Sequence, residues 1–236
     1  MSRFHFKKFT IHQSRSALKV GTDAMILGAT IKTDLPKYGL DVGAGTGVLS
    51  LMVAQNHPSI SINAIEIDDS SFKDLNQNIS ESEFKNQISV LNTDFFLFQS
   101  SKKYDLIFSN PPFYDDGLKF SLETNYHSKH SLNFSKSLFF SKIVEILSDY
   151  GHIWIIIPFD KSQLWINSAL DKGLFLYKRI DIKGKPMMKI RSILVFTFNN
   201  NDKIEHSNIL IRDSDGFYTK DYLKLTEDFH NKRPLK

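Results

Sequence analysis

The apolar positions fall into short runs separated by polar turns, and the runs are of two kinds. Those at 40–42, 60–67, 88–91 and 105–109 are brief and bounded by Gly, Pro, Asn or Asp, and 151–157 is apolar nearly throughout. Such runs predict strands, and Leu106-Ile107-Phe108 reads as one covered on both faces. Between them the spacing predicts helices at 46–55, with Val48, Leu49, Leu51, Met52 and Ala54 apolar, and at 69–80, 134–149 and 162–170. Upstream, 4–11 reads as strand-like or irregular, and Thr22 is expected to cap a helix from Asp23 to about Ile31. Downstream, two strands are expected near 174–182 and 190–198, a short edge strand at 209–211 and a helix at 220–230. The order predicts an α/β fold, a doubly wound sheet of about seven strands whose last strand inserts antiparallel, with helices on both faces. The polar stretch 115–133 is long enough to count as a functional loop.

Composition adds bounds. The chain has 236 residues, 41% of them hydrophobic and 24% charged, which suits one globular domain with a real core. The expected division is an N-terminal extension at 1–38, a sheet core at 39–200 and a C-terminal strand and helix extension at 201–236. With no cysteine, disulfides and thiolate metal sites are excluded, and the histidines show no metal-ligand spacing. No apolar run is long enough for a membrane span, and the basic N-terminus lacks the apolar core of a signal peptide. A cytoplasmic monomer is expected.

Net charge is +4, and its distribution says more than its size. Residues 1–22 carry Arg3, Lys7, Lys8, Arg15 and Lys19 and no acid, and 172–191 carry seven Lys or Arg against Asp181 alone. Between them, 124–144 holds Lys129, His130, Lys136 and Lys142 and again no acid. Aromatic residues are mixed into all three stretches, as on a nucleic-acid face. Lys7, Lys8, Arg15, Lys129, His130, Lys185 and Arg191 are the candidate RNA contacts.

Two motifs carry the chemistry. After the strand at 105–109 come Asn110-Pro111-Pro112-Phe113, which end it because proline has no N–H for a ladder. Asn110 therefore sits at the carboxyl end of a central strand, where open α/β sheets place ligands. The Asn110 side-chain oxygen and the Pro111 carbonyl can accept both hydrogens of a planar amino group. They would stabilise the positive charge that develops as its nitrogen is alkylated, and Phe113 can stack on the base. Upstream, Gly43, Gly45 and Gly47 follow a strand and open a helix. Val48 stands where a dinucleotide fingerprint wants glycine, so that fingerprint fits poorly. Glu66 ends the next strand, placed for ribose hydroxyls; Asp94 ends the third, placed for an adenine amino group; Asp41 faces the glycine turn and can meet an ammonium. S-adenosylmethionine is the ligand with an amino acid, a ribose and an adenine that uses all three carboxylates.

The run from Asp41 through Asn110-Pro-Pro-Phe113 resembles the class I methyltransferases that modify amino groups. Phe4, Phe6, Phe9 and Ile11, then Lys19-Val20-Gly21-Thr22-Asp23 and Leu27-Gly28, and at the other end Ile211 to Tyr222, are similar to the bacterial tRNA1(Val) adenine-N6 methyltransferases. That resemblance implies a Rossmann-like class I methyltransferase sheet and methyl transfer to N6 of the adenine beside a tRNA anticodon, adenine 37. It also implies that Lys19, Gly21 and Thr22 border the cofactor, with Asp41, Gly43, Glu66, Asp94 and Asn110 as its main contacts. Phe113 stands where tyrosine is commoner, and Lys129-His130 where Arg-His is expected, which loses a planar fork for phosphate. Methylation of ribosomal guanine N2 or of a protein glutamine, and a non-catalytic RNA-binding module, are the alternatives left open.

Overall fold

The structure, a computed structural model, describes residues 3–16, 19–34, 36–111, 135–200 and 203–231. A two-stranded antiparallel hairpin, β1 (Arg3–His5) and β2 (Thr10–His12), comes first, then α1 (Thr22–Thr30). The alternating core follows as β3 (Tyr38–Val42), α2 (Val48–Asn56), β4 (Ser61–Glu66), α3 (Asp69–Ser80), β5 (Ile88–Asn92) and β6 (Tyr104–Ser109). After it come α4 (Lys136–Ile146), β7 (Leu147–Pro158), α5 (Ser162–Leu170), β8 (Phe175–Lys185), β9 (Met188–Thr197), β10 (Glu205–Leu210) and α6 (Lys220–Thr226).

Eight of these strands form one sheet in the order β10-β8-β9-β7-β6-β3-β4-β5. Strands β5, β4, β3, β6 and β7 pair in parallel, and β9 runs antiparallel to both β7 and β8. The expected doubly wound sheet with an inserted antiparallel strand is what forms. The edge strand expected at 209–211 begins four residues earlier than that, at Glu205, bringing the sheet to eight strands. It pairs in parallel with β8, because the chain leaving β9 at its low end turns directly upward beside β8.

The uninterrupted apolar runs follow from burial on both faces. Leu106, Phe108, Trp154 and Ile156 face one core with α1, α2, α3 and the N-terminal hairpin, while Ile107, Ile153, Ile155 and Ile157 face a second with α4 and α5. In the second core Phe139, Phe140, Trp165 and Phe196 meet edge to face at 5.3–5.9 Å between centroids, each pair adding about 0.5–1.5 kcal/mol beyond its buried area.

Three expectations at element ends are corrected. Thr22 is the first helical residue of α1 and not its cap; Gly21 holds that position and no side chain caps it. The Asp23 carboxylate, which could have served the helix end, accepts from Arg191 instead. Helix α4 stops at Ile146 and the chain passes directly into β7, whose first residue Leu147 pairs with Tyr104, so this strand starts four residues before the expected 151. Helix α6 ends at Thr226, and the chain beyond it returns to form a bridge between His230 and Phe6.

A candidate cofactor and substrate site at the strand ends

Strands β6, β3, β4 and β5 are neighbours in that order. Asn110, the glycine turn, Glu66 and Asp94 therefore stand in a row along the carboxyl edge of the sheet. At about 4.8 Å per strand the row spans roughly 14 Å, a length suited to an elongated ligand. Chain order differs: Asn110 comes last in sequence and stands first in the row, next to the glycine turn.

Between Val42 and α2 the chain reverses through Gly43 and Gly45, with φ of 70° and 56°, values that disfavour any residue with a Cβ. Open space lies where their side chains would be. Gly47 differs: a Cβ there would stand 2.6 Å from Leu75 Cδ1, so this glycine lets α2 close against α3 and does not face the open space. The turn is tied to β4 on its other side. The Ala44 N–H donates to the Ile65 carbonyl, and the Gly45 N–H donates to Glu66 Oε2, both at 2.8 Å. The second Glu66 oxygen accepts from the Asp68 N–H at 2.8 Å. Glu66 thus shapes the turn as well as lining it. Burial pushes its carboxyl up from the ordinary value, and the Asp68 and Gly45 N–H groups hold it back.

Asp41 is fully buried beneath the turn. Its Oδ2 accepts from the Ser50 hydroxyl at 2.7 Å and the Ser50 N–H at 3.1 Å, which fixes the start of α2, while its Oδ1 has no partner. Burial pushes this carboxyl from 3.8 up to about 7 against the Ser50 hydrogen bonds, and the Glu66 charge adds to the rise. Asp94 lies two residues past β5, half-buried, with one oxygen accepting from the Phe96 N–H at 2.8 Å.

At the head of the row the Ser109 hydroxyl donates to the Val42 carbonyl at 2.7 Å, locking the ends of β6 and β3 together. Asn110 follows, and its Oδ1 is buried with no hydrogen-bond partner among the described residues. Pro111 is buried beside it. Pro112, Phe113, Lys129 and His130 lie outside the described residues.

The segment before α1 is held against α3 by two buried polar residues that are not among the expected site residues. Asp74 of α3, fully buried, accepts from the N–H groups of Arg15 and Ser16 at 2.9 Å each and from the Arg15 guanidinium at 3.0 Å. One turn on, the Asn78 amide donates to the His12 and Thr46 carbonyls and accepts from the His12 N–H. It joins the N-terminal hairpin, α3 and the glycine turn. The signal was present: 71, 74, 75, 78 and 79 form the inward stripe of α3, and an Asp and an Asn on that stripe require partners. Asp74→Ala should lower stability by about 2 kcal/mol, measured by urea unfolding, because it strands two backbone N–H groups.

Several predicted contacts are engaged structurally. The Lys19 ammonium donates to the Gln13 and Ser16 carbonyls, bracing its own loop below Gly21 and Thr22, which are exposed. Arg15 is held by Asp74, and Arg191 bonds Asp23 at 2.7 Å, tying β9 to the first turn of α1. Lys7 and Lys8 occupy the turn of the β1–β2 hairpin, where the Lys7 N–H donates to Phe229. Lys7 also lines a cavity of about 570 Å³ with Lys220, Lys224, Glu227 and His230. That cavity belongs to the surface shared by the N-terminal hairpin and α6, away from the row of strand ends. Lys185 lies at the tip of the β8–β9 hairpin. Among the described residues no group of His, Asp or Glu is arranged to hold a metal, and no helix is long and apolar enough to cross a membrane.

Residues 12–180 match the methyltransferase small domain family, and this span takes in the whole row from Asp41 to Asn110. The chain belongs to that family. A relative of this methyltransferase from a Flavobacteriaceae bacterium, strain 3519-10, is 33% identical over 98% of the chain and 99% of its own length. It is named a tRNA1(Val) (adenine(37)-N6)-methyltransferase. Among solved structures, a predicted O-methyltransferase from Agrobacterium tumefaciens superposes with a TM-score of 0.68 at 15% identity, over 88% of this chain and 96% of that one. The glycopeptide N-methyltransferase MtfA, solved with S-adenosyl-L-methionine, gives 0.58 at 10% identity over 78% and 91%. At those identities the two structures speak for the class I methyltransferase fold alone.

Proposed function

We propose that this methyltransferase moves the methyl group of S-adenosylmethionine to N6 of an adenine in a tRNA anticodon loop, adenine 37 of tRNA1(Val). The observation that carries the proposal is the unpartnered, buried Oδ1 of Asn110 at the head of the row, since a buried acceptor left without a donor awaits one from a ligand. The near full-length relative named for this reaction supports it.

The residues present fit the cofactor. Gly43 and Gly45 open onto free space, Asp41 has an unsatisfied oxygen, and among the described residues the Glu66 and Asp94 side chains each accept only backbone N–H groups, which leaves lone pairs for a sugar and a base. The amino-acid end would lie over Asp41 and the glycine turn, the ribose at Glu66 and the adenine at Asp94. The sulfonium, which joins the amino-acid and ribose parts, would then lie by the glycine turn, on the strand next to that of Asn110. When bound, the cofactor supplies an electrophilic methyl group on positively charged sulfur.

The chain's own part is to prepare the acceptor. An exocyclic amine on a purine is a poor nucleophile while its lone pair is delocalised into the ring. Asn110 Oδ1 and the Pro111 carbonyl accept its two hydrogens, draw the nitrogen out of plane and stabilise the positive charge that grows there. Phe113 stacks on the base and fixes its plane. Methylation makes the N6 proton acidic, and it leaves to solvent. Because loop bases are already partly unstacked, extruding one costs less than from a duplex. Lys7, Lys8, Lys129, His130 and Lys185 are assigned to RNA phosphates. Arg15 and Arg191, held in internal ion pairs, are assigned to positioning the segments that carry them.

The test is methyl transfer from labelled S-adenosylmethionine to unmodified tRNA pools, with nucleoside analysis. N6-methyladenosine confined to a valine tRNA is the expected product. Label on guanosine, or on protein, would keep the cofactor and overturn the substrate.

A further inference from the structure

The β8–β9 hairpin reaches well past the strand ends that form the site. Ser109 is level with Ile155, so Asn110 is level with Ile156 and, across the next pairing, with Ile193. From Ile193 the strand β9 continues six residues to the tip at Met187. At about 3.3 Å per residue that is an overhang of roughly 20 Å, only two strands to the side of Asn110.

The tip is built in an unusual way for a surface turn. Lys185 and Met188 pair, leaving Pro186-Met187 as a two-residue loop. Proline followed by a left-handed residue is the order of a type II turn, whose second position favours glycine or asparagine. This chain instead places a methionine there at φ 65°, the sole non-glycine among the described residues with positive φ, and leaves it 92% exposed. Met188 beside it is 56% exposed. Neither side chain contributes to a core, so folding gives no reason for the choice.

The base of the hairpin is made rigid. Asp181, buried, accepts from Arg179 at 2.7 Å, Lys189 and Ser192 at 2.8 Å, and His206 at 3.2 Å. Arg179 and Lys189 also lie over the Phe159 ring. Burial opposes ionisation of Asp181, but Lys189, Arg179 and Ser192 together hold its carboxyl well below the ordinary value. Two lysines nearer the tip, Lys183 and Lys185, make no ion pair among the described residues and are half-buried and exposed. A stiff arm with two cations that are unpaired among the described residues, and with an apolar point, overhangs the place where a base must be turned out.

We propose that Met187 is the residue that fills the gap left in the loop when the target adenine is extruded, with Lys183 and Lys185 holding the phosphates on either side. Apolar side chains, methionine among them, serve as such wedges between bases, and an exposed residue kept in a disfavoured backbone conformation points to a use. The inference rests on the RNA reading above.

Met187→Gly separates the wedge from the turn, because glycine takes the left-handed conformation freely. The variant should melt at the same temperature or higher and bind cofactor as the wild type does by calorimetry. Its kcat/KM on a tRNA transcript should fall about tenfold, while transfer to a short single-stranded adenine oligonucleotide, which needs no extrusion from a structured loop, stays at the wild-type rate. Lys183→Gln with Lys185→Gln should lower the slope of log affinity against log salt by about 1.4, at 0.7 per single-strand phosphate contact. Wild-type kcat/KM in Met187→Gly, or an equal loss on both substrates, overturns the wedge. An unchanged salt slope in the double variant overturns the arm. No transfer to tRNA by the wild type would instead remove the RNA reading itself, and this inference with it.

Discussion

Asn110→Ala should lose methyl transfer by a factor of about 10²–10³ in kcat, the usual effect of deleting one aligned group that stabilises transition-state charge. It should do so without losing stability. The Asn110 Oδ1 has no hydrogen-bond partner among the described residues, so truncation breaks no bond of theirs to that oxygen, and removing a buried unsatisfied acceptor is neutral or favourable to folding. Ser109 holds the strand end through Val42 whether or not Asn110 is present. Urea unfolding should therefore show an unchanged or higher midpoint beside a nearly inactive enzyme. Calorimetry should place the cofactor affinity within a few-fold of wild type, since the glycine turn, Glu66 and Asp94 are untouched. Near wild-type transfer by a folded, cofactor-binding variant would sink the mechanism. A large fall in stability would mean that Asn110 serves the fold.

The core of the sheet was legible because strands covered on both faces leave short, nearly continuous apolar runs, and each run was followed by Gly, Pro, Asn or Asp. The strand-end carboxylates were legible for the same reason: polarity at the end of a buried strand is conspicuous. What escaped notice depends on contacts between distant segments. Lys19, Arg15 and Arg191 read as free cations in a basic stretch. Their partners are the Gln13 and Ser16 carbonyls, Asp74 and Asp23, and the last two lie 59 and 168 residues away. Periodicity reports which face a residue occupies and not what meets it there. Gly47 shared the spacing of a ligand turn with Gly43 and Gly45, yet its missing side chain makes room for Leu75. Met187 gave no signal, since Pro-Met-Met resembles any apolar fragment until the turn shows one of them forced to positive φ.

The affinity for S-adenosylmethionine should rise with pH up to about 7 and then level off. Burial has pushed Asp41 from 3.8 to about 7 in the ligand-free protein, so below that pH its carboxyl is largely neutral. A cationic amino-acid end above it favours the ionised form, and binding must then release a proton. Each pH unit below 7 therefore costs up to tenfold in affinity, or about a hundredfold between pH 7 and 5. Glu66, raised by its own burial, acts in the same direction. The stability of the ligand-free protein should move the opposite way. A carboxyl whose folded pKa lies above its unfolded value contributes stability that is complete below about pH 4 and lost as pH rises through 7, up to about 4 kcal/mol for Asp41 alone. Cofactor at saturation pulls that pKa back down, so the melting temperature of the complex should fall less with rising pH than that of the free chain. Titration calorimetry in two buffers of different ionisation enthalpy checks the proton directly. Release of nearly one proton per cofactor at pH 6, and little at pH 8.5, is expected for wild type, with a clear reduction at pH 6 in Asp41→Asn. Binding that takes up no proton and shows no pH dependence would mean that Asp41 only anchors Ser50 and the start of α2.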